Sequence, residues 1–497
     1  MRFKILVALA APLVVIGAQA ASAQSSPPAR TAPIFVRAAP ISVQERQQGE
    51  QANAGILQEY GGPYAGPQAA YARQVGQRIA VESGLSTDAG AFNVTLLDSS
   101  IDNAFAIPGG FVYVTRDLMA LMNDEAELAA VLGHEVAHVA ARHSARRQST
   151  ATRNSVLGAL GQLLVGAVTG NSAIGGLLSR GIGTGAQLAT LGFSRSQETE
   201  ADSLGIRYLT SAGYDPGALA MMLQSLSAQT SLEARIAGTG QAPPAWASTH
   251  PDPAARVRRA QTEAAAVRAT GGSRNRDAFL TAIDGMVYGE NPREGVIEGR
   301  RFLHPDLGIA FDVPTGLSIQ NGRDAVRIGG GGVQAQFSAG SYSGDISSYL
   351  GQVVNKVSGR GLNTTLDDFR RSTINGIPIA ATQLRASNGT SPVDVTIFAY
   401  AITATQAAHF LVVTAAGQGL GQADPLLSSL RRLTPADRTA IKTHFVRVVT
   451  IKAGDTVRSL SARMAYPDLQ LERFLVLNAL SANTALRPGS KVKLITY

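Results

Sequence analysis

Two histidines four residues apart flank a glutamate in the run His134-Glu135-Val136-Ala137-His138. Side chains at this spacing share one face of a helix, so two imidazoles can aim at one point. Imidazole is a good ligand for zinc. Glu135 is rotated about 100° from His134, close enough to take a proton from a water held at that point. Bound zinc lowers the pKa of such a water to about 7, which makes hydroxide available at neutral pH. The chemistry on offer is metal-assisted hydrolysis. A catalytic zinc usually takes a third protein ligand. The candidate is Glu198, in Ser196-Gln197-Glu198-Thr199-Glu200-Ala201-Asp202. Asp202, four residues on, would accept the N–H of a liganding histidine and fix its ring. Glu200 is expected to point elsewhere, into solvent or an ion pair. His143 falls off the ligand face and is not expected to be a ligand. A bare HExxH also occurs as two ordinary surface histidines, and the downstream Glu-x-x-x-Asp separates the two readings.

These side chains need two helices. The first is expected over Asp124–Arg147, with Asp124 and Glu127 placed as a capping box. Leu128, Val131, Leu132, Val136 and Val139 give it an apolar stripe. The second should run to about Ser211, where Gly213 and Pro216 mark its end. Upstream, 103–107 and 111–115 flank a Pro-Gly-Gly turn and predict a hairpin. Its Asn103 and Phe105 segment is a candidate edge strand that would hold an extended peptide by backbone hydrogen bonds; the alternative is a plain structural hairpin.

Three segments carry a family resemblance. They are Asn103-Ala104-Phe105-Ala106-Ile107-Pro108-Gly109-Gly110, the run from Glu125 through Glu135, and Phe193-Ser194-Arg195 ahead of Glu198. Together they resemble the CAAX-prenyl-protease/HtpX-type zinc metallopeptidases over roughly 41–270. The exported, periplasmic branch fits better than the integral members, whose multiple membrane helices are missing. The resemblance implies one zinc per chain held by His134, His138 and Glu198, with Glu135 as general base. It also implies unfolded or misassembled envelope proteins as polypeptide substrates, and outer-membrane assembly proteins as candidate partners. Thr249-His250-Pro251 with Arg256 resembles a further family motif. His250 is a candidate for contact with zinc or substrate, or for regulation; a turn residue is the alternative. Arg256 is a candidate clamp on a carboxylate, or the partner of a structural acid.

Residues 446–497 read as strand, helix, helix, strand and resemble a LysM module, with Asp455 or Thr456 capping the first helix. The resemblance implies binding to N-acetylglucosamine polymers such as peptidoglycan, although an aromatic that often begins the module is missing. A structural cap is the alternative. The uncharged run Asn154–Ser179 is expected to cover the cleft rather than lie on a membrane. Gly181-Ile182-Gly183-Thr184-Gly185-Ala186 imitates a dinucleotide fingerprint but follows no strand, so it is set aside. The Gly329–Gly332 run reads as a turn.

The chain of 497 residues, net charge +8, contains no cysteine. That excludes thiol catalysis, cysteine-ligated zinc, disulfides and a lipid-modified N-terminal cysteine. The basic balance favours anionic surfaces such as headgroups or wall polymers. No dense Lys/Arg block with interleaved aromatics is present, so nucleic acid is not expected as a partner. Arg2 and Lys4, the apolar Ile5–Ala18 and Ala21-Ser22-Ala23 read as a signal peptide, 1–23, which places the mature chain in the periplasm, with wall or membrane association as a further option. The expected architecture is multidomain. A linker (24–40) leads to a mainly α, zincin-type (gluzincin) peptidase domain with a small β element (41–270). A connector (271–300), a mixed α/β or β-rich domain (301–435) and the small βααβ unit (446–497) follow. Few aromatics predict cores built from small aliphatic side chains.

Overall fold

The computed structural model describes residues 38–146, 193–237, 250, 253–267, 271–322, 325–358, 369–387 and 392–497. The expected signal peptide, nearly all of the linker, the run Asn154–Ser179 and the Gly181–Ala186 motif lie outside the described residues.

The N-terminal half opens with α1 (Val43–Glu59) and α2 (Gln68–Ala80). Three strands follow: β1 (Asn93–Leu97), β2 (Ala104–Ile107) and β3 (Phe111–Thr115). β3 is central, parallel to β1 and antiparallel to β2, which leaves β2 on the sheet edge. The Pro-Gly-Gly turn works because Gly109 and Gly110 take φ of 92° and 84°, a region costly for any residue with a Cβ. Next come α3 (Arg116–Leu121) and α4 (Glu125–Ala140), the helix of the HExxH run. Every residue of α4 from Glu125 to His138 is buried, because α2, the sheet and two later helices enclose it.

The ends of α4 differ from the expectation. The Asp124 side chain accepts from Glu127 N at 3.0 Å, but the Glu127 carboxylate accepts from Asn123 N at 2.8 Å instead of from the cap residue. The helix also stops at Ala140, short of Arg147, and Arg142 sits at φ 52° just beyond. The second site helix, α5 (Arg195–Ser211), starts earlier than Ser196 because Ser194 and Gln197 form a complete capping box. α4 and α5 cross where two glycines meet. A Cβ on Gly205 would lie 3.4 Å from the His134 amide nitrogen. Bare backbone at this crossing lets α5 approach the His134 turn closely. Behind them pack α6 (Ala218–Ala237), α7 (Pro253–Ala266) and α8 (Arg276–Ile283).

The 301–435 stretch is β-rich. After β4 (Val287–Tyr288), the strands β5 (Val296–Glu298), β6 (Arg301–His304) and β7 (Ile309–Asp312) form one sheet with the later β15 (Arg431–Arg432). The second, antiparallel sheet contains β8 (Ser318–Gln320), β9 (Val326–Gly330), β10 (Val333–Ser341), β11 (Arg370–Ile374), β12 (Ile377–Ser387), β13 (Pro392–Ala401) and β14 (Gln406–Ala415). Its order is β11-β12-β13-β14-β10-β9-β8. The amphipathic α9 (Ile346–Ser358) covers one face, and α10 (Ala423–Ser429) packs into the core on the other. As the composition argument expects, the large helical cluster is mostly Ala, Val, Leu and Ile, while between the two sheets four phenylalanines gather among further aliphatic side chains. Phe311 lies 4.9 Å from Phe302 and 5.2 Å from Phe337, and Phe337 lies 5.0 Å from Phe410, centroid to centroid. The chain has few aromatics but concentrates them here.

After α11 (Pro435–Ala440), the last unit runs β16 (His444–Thr450), α12 (Val457–Ser461), α13 (Gln470–Leu477) and β17 (Lys491–Thr496). Thr456 caps α12. Its sheet has three strands, β17-β16-β4, so the 271–300 stretch contributes one of them. Val446, Phe474 and Leu494 belong to the same continuous buried cluster as Leu128 and Val131 of α4.

Candidate metal centre

α4 and α5 bring four side chains to one point. His134 Nε2 and His138 Nε2 are 3.1 Å apart. Glu198 stands 3.5 Å from each, Oε2 toward His134 and Oε1 toward His138. His250 joins them, its Nδ1 3.4 Å from His134 Nε2 and 3.1 Å from Glu198 Oε1. All four residues are buried, and one ligating atom from each lies within 4.8 Å of all the others. Zinc holds nitrogen and carboxylate oxygen at about 2.0–2.1 Å in a tetrahedron, which spaces its ligands about 3.3 Å apart. Separations of 3.1–3.5 Å fit that requirement.

The surroundings hold these groups in place. Asp202 Oδ1 lies 3.1 Å from His134 Nδ1. Arg256 ties the acids together, with Nη1 2.5 Å from Glu198 Oε2 and Nη2 2.5 Å from Asp202 Oδ1. Glu135 sits next to the cluster, its Oε1 3.5 Å from His250 Nε2. Phe193 stacks on the His138 ring at 3.8 Å.

Burial sets the protonation behaviour, modified by these neighbours. It raises the pKa of Glu135, against the pull of His250 and His134. Burial also works against the charged form of His134, but hydrogen bonds to Asp202 and Glu198 outweigh it and lift that ring to about 9. His138 is pushed well down, by burial and then by the charge of His134. Glu198 resists burial and is held well below the carboxylate range by the charges and hydrogen bonds of His250 and His134.

The sequence-derived candidates are distributed as follows. His134, His138, Glu198 and Glu135 converge, with Asp202 behind His134. Arg256 reaches two acids at once and stands beside His134 Nε2 at 3.5 Å. Asn103 and Phe105 lie at the edge strand beside α4, where the Phe105 ring packs between Tyr60 and Tyr113. His143 stays outside the four-residue cluster, yet it is buried with its Nδ1 2.8 Å from His138 Nδ1. Glu200 pairs with Arg146 at 2.5 Å and also lies 3.2 Å from His143 Nε2. Residue spacing did not foretell the full part of His250, because nothing local ties a lone His-Pro to residues 116 positions earlier.

The profile of peptidase family M48 matches residues 67–264. Over this segment the chain is similar to family M48 peptidases. The matched segment contains the whole cluster of His134, His138, Glu198 and His250, and zinc is the cofactor of that family. The beta-barrel assembly-enhancing protease of Yersinia pestis is 35% identical over 176 residues, 35% of this chain and 34% of the relative. Its namesake in Escherichia coli K12 is 32% identical over 180 residues, 36% of this chain and 35% of the relative. The mitochondrial metalloendopeptidase OMA1 of Schizosaccharomyces pombe is 32% identical over 220 residues, 43% of this chain and 59% of the relative. The chain thus spans about a third of the length of these bacterial relatives. Among the described residues, no helix is long and apolar enough to cross a membrane.

Proposed function

We propose that the chain is a zinc-dependent endopeptidase of the bacterial cell envelope that degrades unfolded or misassembled proteins, those of outer-membrane assembly among them. The observation that carries this reading is the convergence of His134, His138 and Glu198 beside Glu135. The names of the two beta-barrel assembly-enhancing proteases support a proteolytic role tied to β-barrel assembly.

His134, His138 and Glu198 would hold the metal. Bound there, zinc supplies a Lewis acid and stabilises negative charge developing on the scissile carbonyl. Glu135 takes the proton of the attacking water and returns it to the leaving amine. Asp202 fixes the His134 ring, and Arg256 keeps Glu198 and Asp202 in position. The β2 edge aligns an extended substrate backbone beside α4. The C-terminal βααβ unit acts as a LysM-like module and holds the enzyme near peptidoglycan.

Glu135→Gln in the full-length protein tests the reading. Zinc content should match wild type while cleavage of an unfolded substrate disappears; His134→Ala should lose the zinc as well. Full function of Glu135→Gln in cells would favour a second reading, an assembly factor or chaperone in which proteolysis is secondary.

A further inference from the structure

We propose that His143 and Glu200 form a positioning relay that fixes the ring of His138 from behind. The proposal rests on reading His138 as a metal ligand through Nε2. That nitrogen faces His134 Nε2 at 3.1 Å and Glu198 Oε1 at 3.5 Å. A ring that gives Nε2 to a metal carries its proton on Nδ1, and the partner of that N–H sets the ring's orientation. The partner here is His143 Nδ1, at 2.8 Å. His138 Nδ1–H donates and His143 Nδ1 accepts. His143 therefore carries its own proton on Nε2, 3.2 Å from Glu200 Oε2. Arg146 Nη2 donates to the same oxygen at 2.5 Å. One choice of tautomer at the metal dictates every donor and acceptor along this line.

The backbone is shaped for the contact. In an uninterrupted helix, a residue five positions on would point about 140° away from His138. α4 ends at Ala140, and Arg142 at φ 52° turns His143 back onto the His138 ring. Gln197 Nε2 donates to the His143 carbonyl at 3.1 Å and fastens this turn to α5. The two liganding histidines thus have unequal support. His134 leans directly on the buried carboxylate of Asp202. His138 reaches a carboxylate only through a neutral imidazole, and that carboxylate, Glu200, is 44% exposed.

The test measures zinc affinity of the full-length protein by chelator competition. His143→Leu should weaken binding by about 10–100-fold, the usual cost of losing such a partner. His143→Asn, whose Oδ1 can accept near the old Nδ1 position, should restore most of it. Glu200→Ala should cost several-fold. In zinc-loaded wild type the His138 Nδ1–H should give a slowly exchanging, downfield proton resonance that His143→Leu loses. Wild-type affinity in His143→Leu overturns the relay and leaves the metal centre standing. So do equal losses in His143→Leu and His143→Asn, which would mean that only packing matters. Should His143→Leu not fold, the surface variant Glu200→Ala decides, and unchanged affinity there overturns the relay. A wild-type protein that takes up no zinc overturns the metal centre and the relay together.

Discussion

Lys493 Nζ, on β17, donates to the main-chain carbonyl of Ala120 at 2.7 Å, across 373 residues of sequence. The same ammonium donates to Leu121 O at 3.1 Å and Met122 O at 2.5 Å. These carbonyls close α3 immediately ahead of the HExxH helix. A lysine there satisfies acceptors that a helix end leaves open and favours the negative end of its dipole. Burial pushes the Lys493 pKa well down, while Glu127, on α4, draws it back up.

Lys493→Met keeps the length of the side chain and removes all three donors. It should lower stability by about 2–4 kcal/mol, since three buried carbonyls lose a donor, Leu121 O keeping only Asn123 Nδ2, and Glu127 loses a nearby cation. Denaturant unfolding checks the stability loss. Zinc retention measured alongside should fall, because the same junction sets the start of α4.

The α4–α5 crossing gives a second prediction. Gly205→Ala should be tolerated, because its Cβ would meet His134 at ordinary contact distance. Gly205→Leu must push α5 outward, at about 1–3 kcal/mol. Glu198 would move away from the histidines, so zinc affinity should drop more steeply than thermal stability. Equal zinc affinity in both variants would contradict the close-approach argument.

His250 supplies a fourth donor to a cluster that needs an open position for catalysis. His250→Ala should keep zinc and raise cleavage of an unfolded substrate several-fold. A fall in cleavage would mean that His250 instead contacts substrate during the reaction.

The accessory sheet carries its own pH dependence. Burial, helped by Lys356, pushes His409 down to about 4, and its Nδ1 meets the Tyr349 hydroxyl at 2.9 Å. The unfolded ring titrates near 6.5. Between about pH 6.5 and 4 the unfolded state binds more protons, so stability is lost as pH falls through that window, by about 1–3 kcal/mol. His409→Gln should flatten the pH dependence of the unfolding free energy over this range.

The sequence made the centre legible where chemistry follows local spacing. His134 and His138 share a face because four residues make about one turn, and Glu198 and Asp202 repeat the pattern on α5. The hairpin at Pro108-Gly109-Gly110 was equally readable, since glycine alone takes those φ values cheaply. Long-range features were not readable. His143 meets His138 only because the helix breaks at Arg142, and a positive φ at an arginine has no compositional signature. Lys493 looks like an ordinary polar strand residue until its carbonyl partners, more than 370 positions away, are in place. The cluster of four phenylalanines was hidden because overall composition averages away a local concentration of rings.

The β17 contact also fixes an order of events. A ribosome that has finished the HExxH helix must still add more than 350 residues before Lys493 exists to close α3. Until then the carbonyls of Ala120, Leu121 and Met122 lack this donor, and the α3–α4 junction is held by fewer hydrogen bonds than in the finished chain.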